Sequence, residues 1–278
     1  MLLREGADVN GQGGIYGNAL QAASYEGSSE VVKIPLENRA DVNAQGGTFG
    51  NALQAASANN GSSEVVKMLL ASGAHVNVQG GLYGSALRAA SSDKGSSEVV
   101  KILLENGAEY GNVLQAACNG GSSEVVKILL ENGADVNVKG GNALQAACYG
   151  GSSEVVKILL ENRADVNVQG GTYGNALQAA CYGGSSEIVK ILLENGADVN
   201  VTEGKYGNAL LAASYKGHAH IVELLLSKVA CETAHCLTHA LYIAKFKGDT
   251  ATVDVPLDKG ADLCTTGSLP SQGTYIQK

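Results

Sequence analysis

From Asn142 to Asn167 the chain reads NALQAACYGGSSEVVKILLENRADVN, and from Asn175 to Asn200 it reads NALQAACYGGSSEIVKILLENGADVN. The apolar positions fall in two bursts per copy. In the second burst Val155 and Leu159 share one stripe of a helix, Val156 and Leu160 share another, and Ile158 lies nearby. That arc is too wide for a helix with one wet side, so neighbouring copies must cover it. The first burst is a short run of good helix formers, lined with Ala so that a partner can approach closely. Asn142 and Asn175 suit the cap of this first helix and Ser152 the cap of the second, each offering an oxygen to free N–H groups of a first turn. Gly-Gly breaks the first helix, and Asn-Gly ends the second with glycine in the left-handed region. The remainder, ADVNVQGGTYG, predicts an extended finger that turns at Gly-Gly. Each copy is therefore helix, turn, helix, finger.

The pattern recurs along most of the chain. Leu20, Leu53, Leu87, Leu114, Leu144, Leu177, Leu210 and Leu241 mark the first helices, with gaps of 33, 34, 27, 30, 33, 33 and 31 residues. Gly-Ser-Ser-Glu followed by Val-Val or Ile-Val occurs six times between Gly27 and Val189. A period near 33 predicts stacked repeats rather than a globular domain with scattered motifs. The expected fold is an all-α repeat solenoid of about eight helix pairs with short β-hairpin fingers. Residues 1–17 read as the end of a preceding repeat and its finger, 18–263 as the array, and 264–278 as a flexible tail.

In register across the copies stand Leu177, Ala180, Gly184, Ile188-Val189, Leu192-Leu193 and Gly196-Ala197. This pattern resembles the ankyrin repeat over about residues 1 to 263, and its dialect looks like the arrays of filamentous fungi. It departs from the family in three ways. Asn-Ala replaces Thr-Pro, Gln replaces the first His, and Ser replaces the second; Asn175 and Gln178 keep the capacity to hydrogen-bond. The resemblance implies a stacked helical fold and a protein or peptide partner on a concave face.

Irregular copies carry further information. The chain opens inside a repeat, without a first helix or a polar capping unit. Pro35 and Pro256 each replace a core Leu inside a second helix, a change that costs about 3 kcal/mol. Arg39 and Arg163 stand where other copies have the helix-ending Gly. Between Leu104 and Leu114 the finger has nearly vanished. Either an altered binding surface or drift from an ancestor would produce these features.

Composition narrows the function. The chain of 278 residues has no Trp, two Phe and 37 Gly, so small and aliphatic side chains must fill its interior. A formal charge of −8 argues against nucleic acid or an anionic membrane as partner. No segment is apolar enough to span a bilayer or to act as a signal peptide, which points to a cytoplasmic or nuclear monomer. Phosphate-loop, His-Glu-x-x-His and Gly-x-Ser-x-Gly motifs are missing, so neither catalysis nor a cofactor is expected. The Glu at the start of each GGSSE helix already complements the dipole and would repel phosphate.

Two groups of cysteines need separate treatment. Cys118, Cys148 and Cys181 occupy the phase that holds Ser24, Ser57, Ser91 and Ser214 in other copies, which makes them small core residues. Cys231, His235, Cys236 and His239 form a Cys/His cluster within reach of zinc, but it has no Cys-x-x-Cys and His239 falls at a helix-capping position. A metal protein built on this cluster is a weak alternative.

What remains is surface. By resemblance, residues five and six after each marker Leu and those on the fingers touch partners. Those positions place Tyr25, Tyr149, Tyr182, Tyr215, Lys216 and Phe246 on the expected contact row, with Tyr149, Tyr182 and Tyr215 forming a stripe. Four residues before the markers stand Tyr16, Phe49, Tyr83, Tyr110, Tyr173 and Tyr206, a row expected to pack between the finger bases. The leading expectation is a non-catalytic interaction scaffold. The alternatives are the repeat portion of a larger signalling protein or a decayed relic.

Overall fold

The computed structural model describes residues 7–58, 61–92, 95–138, 142–228, 238, 240–242, 244–245 and 251–254. They belong to two compact units, Met1–Asp135 and Val136–Lys278. The first unit holds α1 (Ala19–Glu26), α2 (Ser29–Glu37), α3 (Ala52–Ser57), α4 (Ser63–Ala71), α5 (Ala86–Ala90), α6 (Ser97–Glu105), α7 (Val113–Gly120) and α8 (Ser123–Glu131). The second holds α9 (Ala143–Gly150), α10 (Ser153–Glu161), α11 (Ala176–Gly183), α12 (Ser186–Glu194), α13 (Ala209–Lys216) and α14 (Ala219–Lys228). Within each unit the first helices stack on first helices and the second on second, and each pair also packs on itself. Each unit is a two-layered helical stack.

The predicted caps form. Asn51, Asn142, Asn175 and Asn208 each accept the N–H three residues on, and Asn18 does so in a reciprocal capping box with Gln21. Ser62, Ser96, Ser122, Ser152 and Ser185 cap the second helices in the same way. Between the layers lie fully buried Leu53, Leu69, Leu103, Leu129, Leu159, Leu177 and Leu192, each worth about 1.5–3 kcal/mol. Ala55, Ala89, Ala147, Ala180 and Ala213 are completely covered, which lets successive first helices pack closely.

Pro35 is buried inside α2, and the helix continues past it to Glu37. Arg39 and Arg163 adopt φ of 63° and 65°, the left-handed conformation that Gly73, Gly107, Gly133 and Gly196 take at the same place in other repeats. Glu154 and Lys157 stand at i, i+3 spacing on α10, yet the lysine pairs elsewhere. Lys157 Nζ lies 3.3 Å from Glu187 in the next repeat, and Lys67–Glu98 and Lys101–Glu124 bridge repeats in the same way. The side chain is long enough to span one repeat, whereas Lys33–Glu30 closes within a single helix.

Candidate functional site: the finger face

The fingers are narrower than hairpins. Gly46 with Gly50, Gly80 with Gly84, and Gly170 with Gly174 each form one antiparallel bridge around a three-residue turn, and among the described residues no paired strands extend from it. Successive turns touch through their backbones. The Thr48 N–H donates to the Ile15 carbonyl at 2.7 Å, Leu82 N–H to Thr48 at 2.8 Å, and Lys205 N–H to Thr172 at 3.1 Å. At Gly81 a side chain would strike the Phe49 carbonyl carbon and oxygen, and Gly81 also has φ of 62°. Gly47, Gly81 and Gly204 have no room for a side chain because the preceding finger lies against them.

In four of the first helices a glutamine fastens the helix to the following finger. Gln54 Nε2 donates to the carbonyls of Val78, Gly80 and Gly84 at 3.0–3.2 Å, and Gln178 Nε2 to Val201 and Gly207 at 3.0 and 3.2 Å. Gln21 and Gln145 do the same. In α5 the position is Arg88, and the loop that follows, residues 106–112, has seven residues where 38–51 and 195–208 have fourteen. In α5 the missing glutamine thus coincides with a short loop after α6.

At the other end of the finger an asparagine ladder joins repeats. Asn43 accepts the His75 N–H and donates to the Gly73 carbonyl; Asn77 engages Glu109 and Gly107, and Asn167 engages Asp198 and Gly196. Sequence reasoning did not single out these residues. Their signal was the Asn that closes Asp-Val-Asn, or His-Val-Asn at Asn77.

Between these fastenings stand the aromatic rings. The expected contact row and finger row interleave into one ladder in each unit. In the second unit Tyr149 and Tyr173 have ring centres 5.1 Å apart, Tyr173 and Tyr182 5.2 Å, Tyr182 and Tyr206 4.7 Å, and Tyr206 and Tyr215 5.2 Å. In the first unit Tyr16 meets Tyr25 at 5.3 Å, Tyr25 meets Phe49 at 4.5 Å, and Phe49 meets Tyr83 at 6.4 Å. Tyr149 is 45% exposed and the other ladder rings are half-buried. The rings therefore support each other and still present a surface. Tyr110 stands apart: its hydroxyl donates to the Asn132 carbonyl, because its repeat has no finger to place it in the row.

Two lysines lie against the second ladder. Lys216 Nζ is 4.6 Å from the Tyr182 ring centre, and Lys205 Nζ is 5.7 Å from that of Tyr206. The Tyr206 hydroxyl beside it and the Lys216 ammonium hold the Tyr182 phenol below its ordinary pKa. Burial, reinforced by their phenol neighbours, pushes Tyr173 and Tyr206 up.

The repeat-phase cysteines are core residues, as expected. Cys118, Cys148 and Cys181 are fully covered, and burial pushes the Cys118 thiol up to about 12. His218 keeps a structural place, its ring 3.2 Å from the Tyr182 carbonyl. Cys231, His235, Cys236, His239 and Phe246 lie outside the described residues, as do Pro256 and the expected tail 264–278. Among the described residues no group of three His, Cys, Asp or Glu could hold a metal ion, and no helix is long and apolar enough to cross a membrane.

Comparison with family models matches "Ankyrin repeats (3 copies)" over residues 1–80, 86–170 and 177–266, and "Ankyrin repeats (many copies)" over 154–193. No curated protein matches the chain.

Proposed function

The chain belongs to the ankyrin repeat family, and from that premise we propose that it is a non-catalytic scaffold holding a protein or peptide on its finger face. Stacked repeats of this kind bind along an extended surface that the scaffold keeps rigid. The observation that carries the reading is the continuous aromatic ladder from Tyr149 to Tyr215. Its rings are held from behind by the glutamine fastenings and from the side by one another. Tyr is suited to such a role, being large, rigid and tipped with a hydroxyl. Preorganised rings lose little conformational freedom on binding, so contact energy is not spent on ordering them.

The test is affinity capture from cytosolic extract with the parent chain and with Tyr149→Ser/Tyr182→Ser/Tyr215→Ser. The variant should retain helical circular dichroism and lose the captured protein. It should also melt lower, because each lost aromatic pair contributes about 0.5–1.5 kcal/mol. Equal capture by a folded variant would remove the ladder from the binding surface.

A further inference from the structure

The two ladders differ in charge. The residue that ends the first helix after the ladder tyrosine is Glu26 in α1 but Lys216 in α13. The residue before each finger ring also varies, being Ile15, Thr48 and Leu82 in the first unit and Thr172 and Lys205 in the second. Lys205 and Lys216 thus stand over two neighbouring rings of the second ladder. Among the described residues neither has a carboxylate within ion-pair distance, whereas Lys33, Lys67, Lys101 and Lys157 on the second helices are all paired with glutamates. Instead each lies over a tyrosine ring, Lys216 over Tyr182 and Lys205 over Tyr206, and those rings are 4.7 Å apart. In a chain of net charge −8 this is a local positive point on an aromatic floor.

Ring spacing limits the shape of the occupant. Within one row the centres repeat at 6.1 Å from Tyr149 to Tyr182 and at 6.4 Å from Tyr173 to Tyr206. An extended strand advances about 3.3 Å per residue, so its same-side side chains repeat at roughly 6.6 Å. A helical turn advances about 5.4 Å. Polyproline brings a side chain back to one side only every third residue, about 9.3 Å. The extended strand fits the row best.

Resting on the scaffold reading, we propose that the second ladder docks an extended acidic peptide segment. Every second side chain of that segment rests against successive tyrosines, and one Asp or Glu reaches Lys205 and Lys216. The first ladder, with Glu26 at the corresponding helix end, excludes the same segment.

The experiment is a positional-scanning library of capped, fluorescein-labelled nonapeptides, titrated against the full chain by anisotropy. Selection should favour Asp or Glu at one position and apolar residues two positions away on either side. Lys205→Ala/Lys216→Ala should stay folded, melting slightly lower for the lost cation–ring contacts, and erase the acidic preference, weakening the best peptide about tenfold. Binding of that peptide should also weaken as salt is raised. Glu26→Lys serves as the converse variant and should create a weaker second site. No selected peptide, an acidic preference that survives in the double lysine variant, or a three- or four-residue periodicity would each overturn the proposal. If partner capture depends on the tyrosines while no acidic selection appears, the scaffold reading stands and this assignment of its ligand fails.

Discussion

Replacing Arg163 by glycine should stabilise the second unit. Arg163 sits just past α10 at φ 65°, where an L side chain crowds its own carbonyl at a cost of roughly 1–2 kcal/mol. Its backbone is fully used: the N–H donates to Leu160 at 3.0 Å and the carbonyl accepts from Asn137 Nδ2 at 3.0 Å. Glycine keeps both bonds, as Gly196 does at φ 82° with Asn167 on its carbonyl. The Arg side chain is exposed and carries no ion pair among the described residues, so little packing is lost. Against the relieved strain stands the greater freedom of glycine in the unfolded chain, about 0.5–1 kcal/mol. The net expectation is a gain of about 0.5–1 kcal/mol for Arg163→Gly, and the same for Arg39→Gly. The assay is urea denaturation followed by circular dichroism, with a raised midpoint and an unchanged slope. The reverse change, Gly196→Arg, should lower the midpoint by a similar amount. A destabilised Arg163→Gly together with a neutral Gly196→Arg would show that the left-handed Arg163 carries no strain.

Three further outcomes are expected. Pro35→Leu should stabilise the first unit by about 3 kcal/mol in the same denaturation assay, since the proline lies inside α2 in the column filled elsewhere by buried Leu69 and Leu103. Gln178→Leu should cost about 2–3 kcal/mol, because the Val201 and Gly207 carbonyls lose their donor, and hydrogen exchange should rise in the finger at 201–207 before it rises in α11. For Cys118 the sign follows from a thiol that ionises near 9 when exposed and near 12 when buried. Below pH 9 both states hold the proton and stability is unaffected. Between about 9 and 12 only the unfolded thiol ionises, so stability falls by up to about 1.4 kcal/mol per pH unit. Cys118→Ala should flatten that fall, and native iodoacetamide labelling of Cys118 should be slow until denaturant opens the unit.

The helices, their caps and their core columns were legible in the sequence because each depends on residues within a few positions of one another. Asn175 caps α11 through the N–H of Gln178, three residues away, and Val155 and Leu159 define a stripe within one helix. The positive φ of Arg163 was legible too, since the register with Gly196 placed it at a helix end. What was not legible depends on how far one repeat leans into the next. The two aromatic rows read as separate columns, one exposed and one packed, because periodicity says nothing of ring tilt; in the structure Tyr182 lies between Tyr173 and Tyr206 and belongs to both. Gln178 could be seen to keep a donor, but its acceptors lie 23 and 29 residues on. Lys157 likewise passes over its own helix to reach Glu187.

Photo-crosslinking shows whether a partner lies on the tyrosine ladder. A benzophenone side chain placed at Tyr149, 45% exposed on the ladder, is compared with one at Lys157, exposed on the second-helix layer. A crosslinked partner is expected from position 149 and none from 157. Crosslinking from 157 with none from 149 would contradict this and place binding on the second-helix layer.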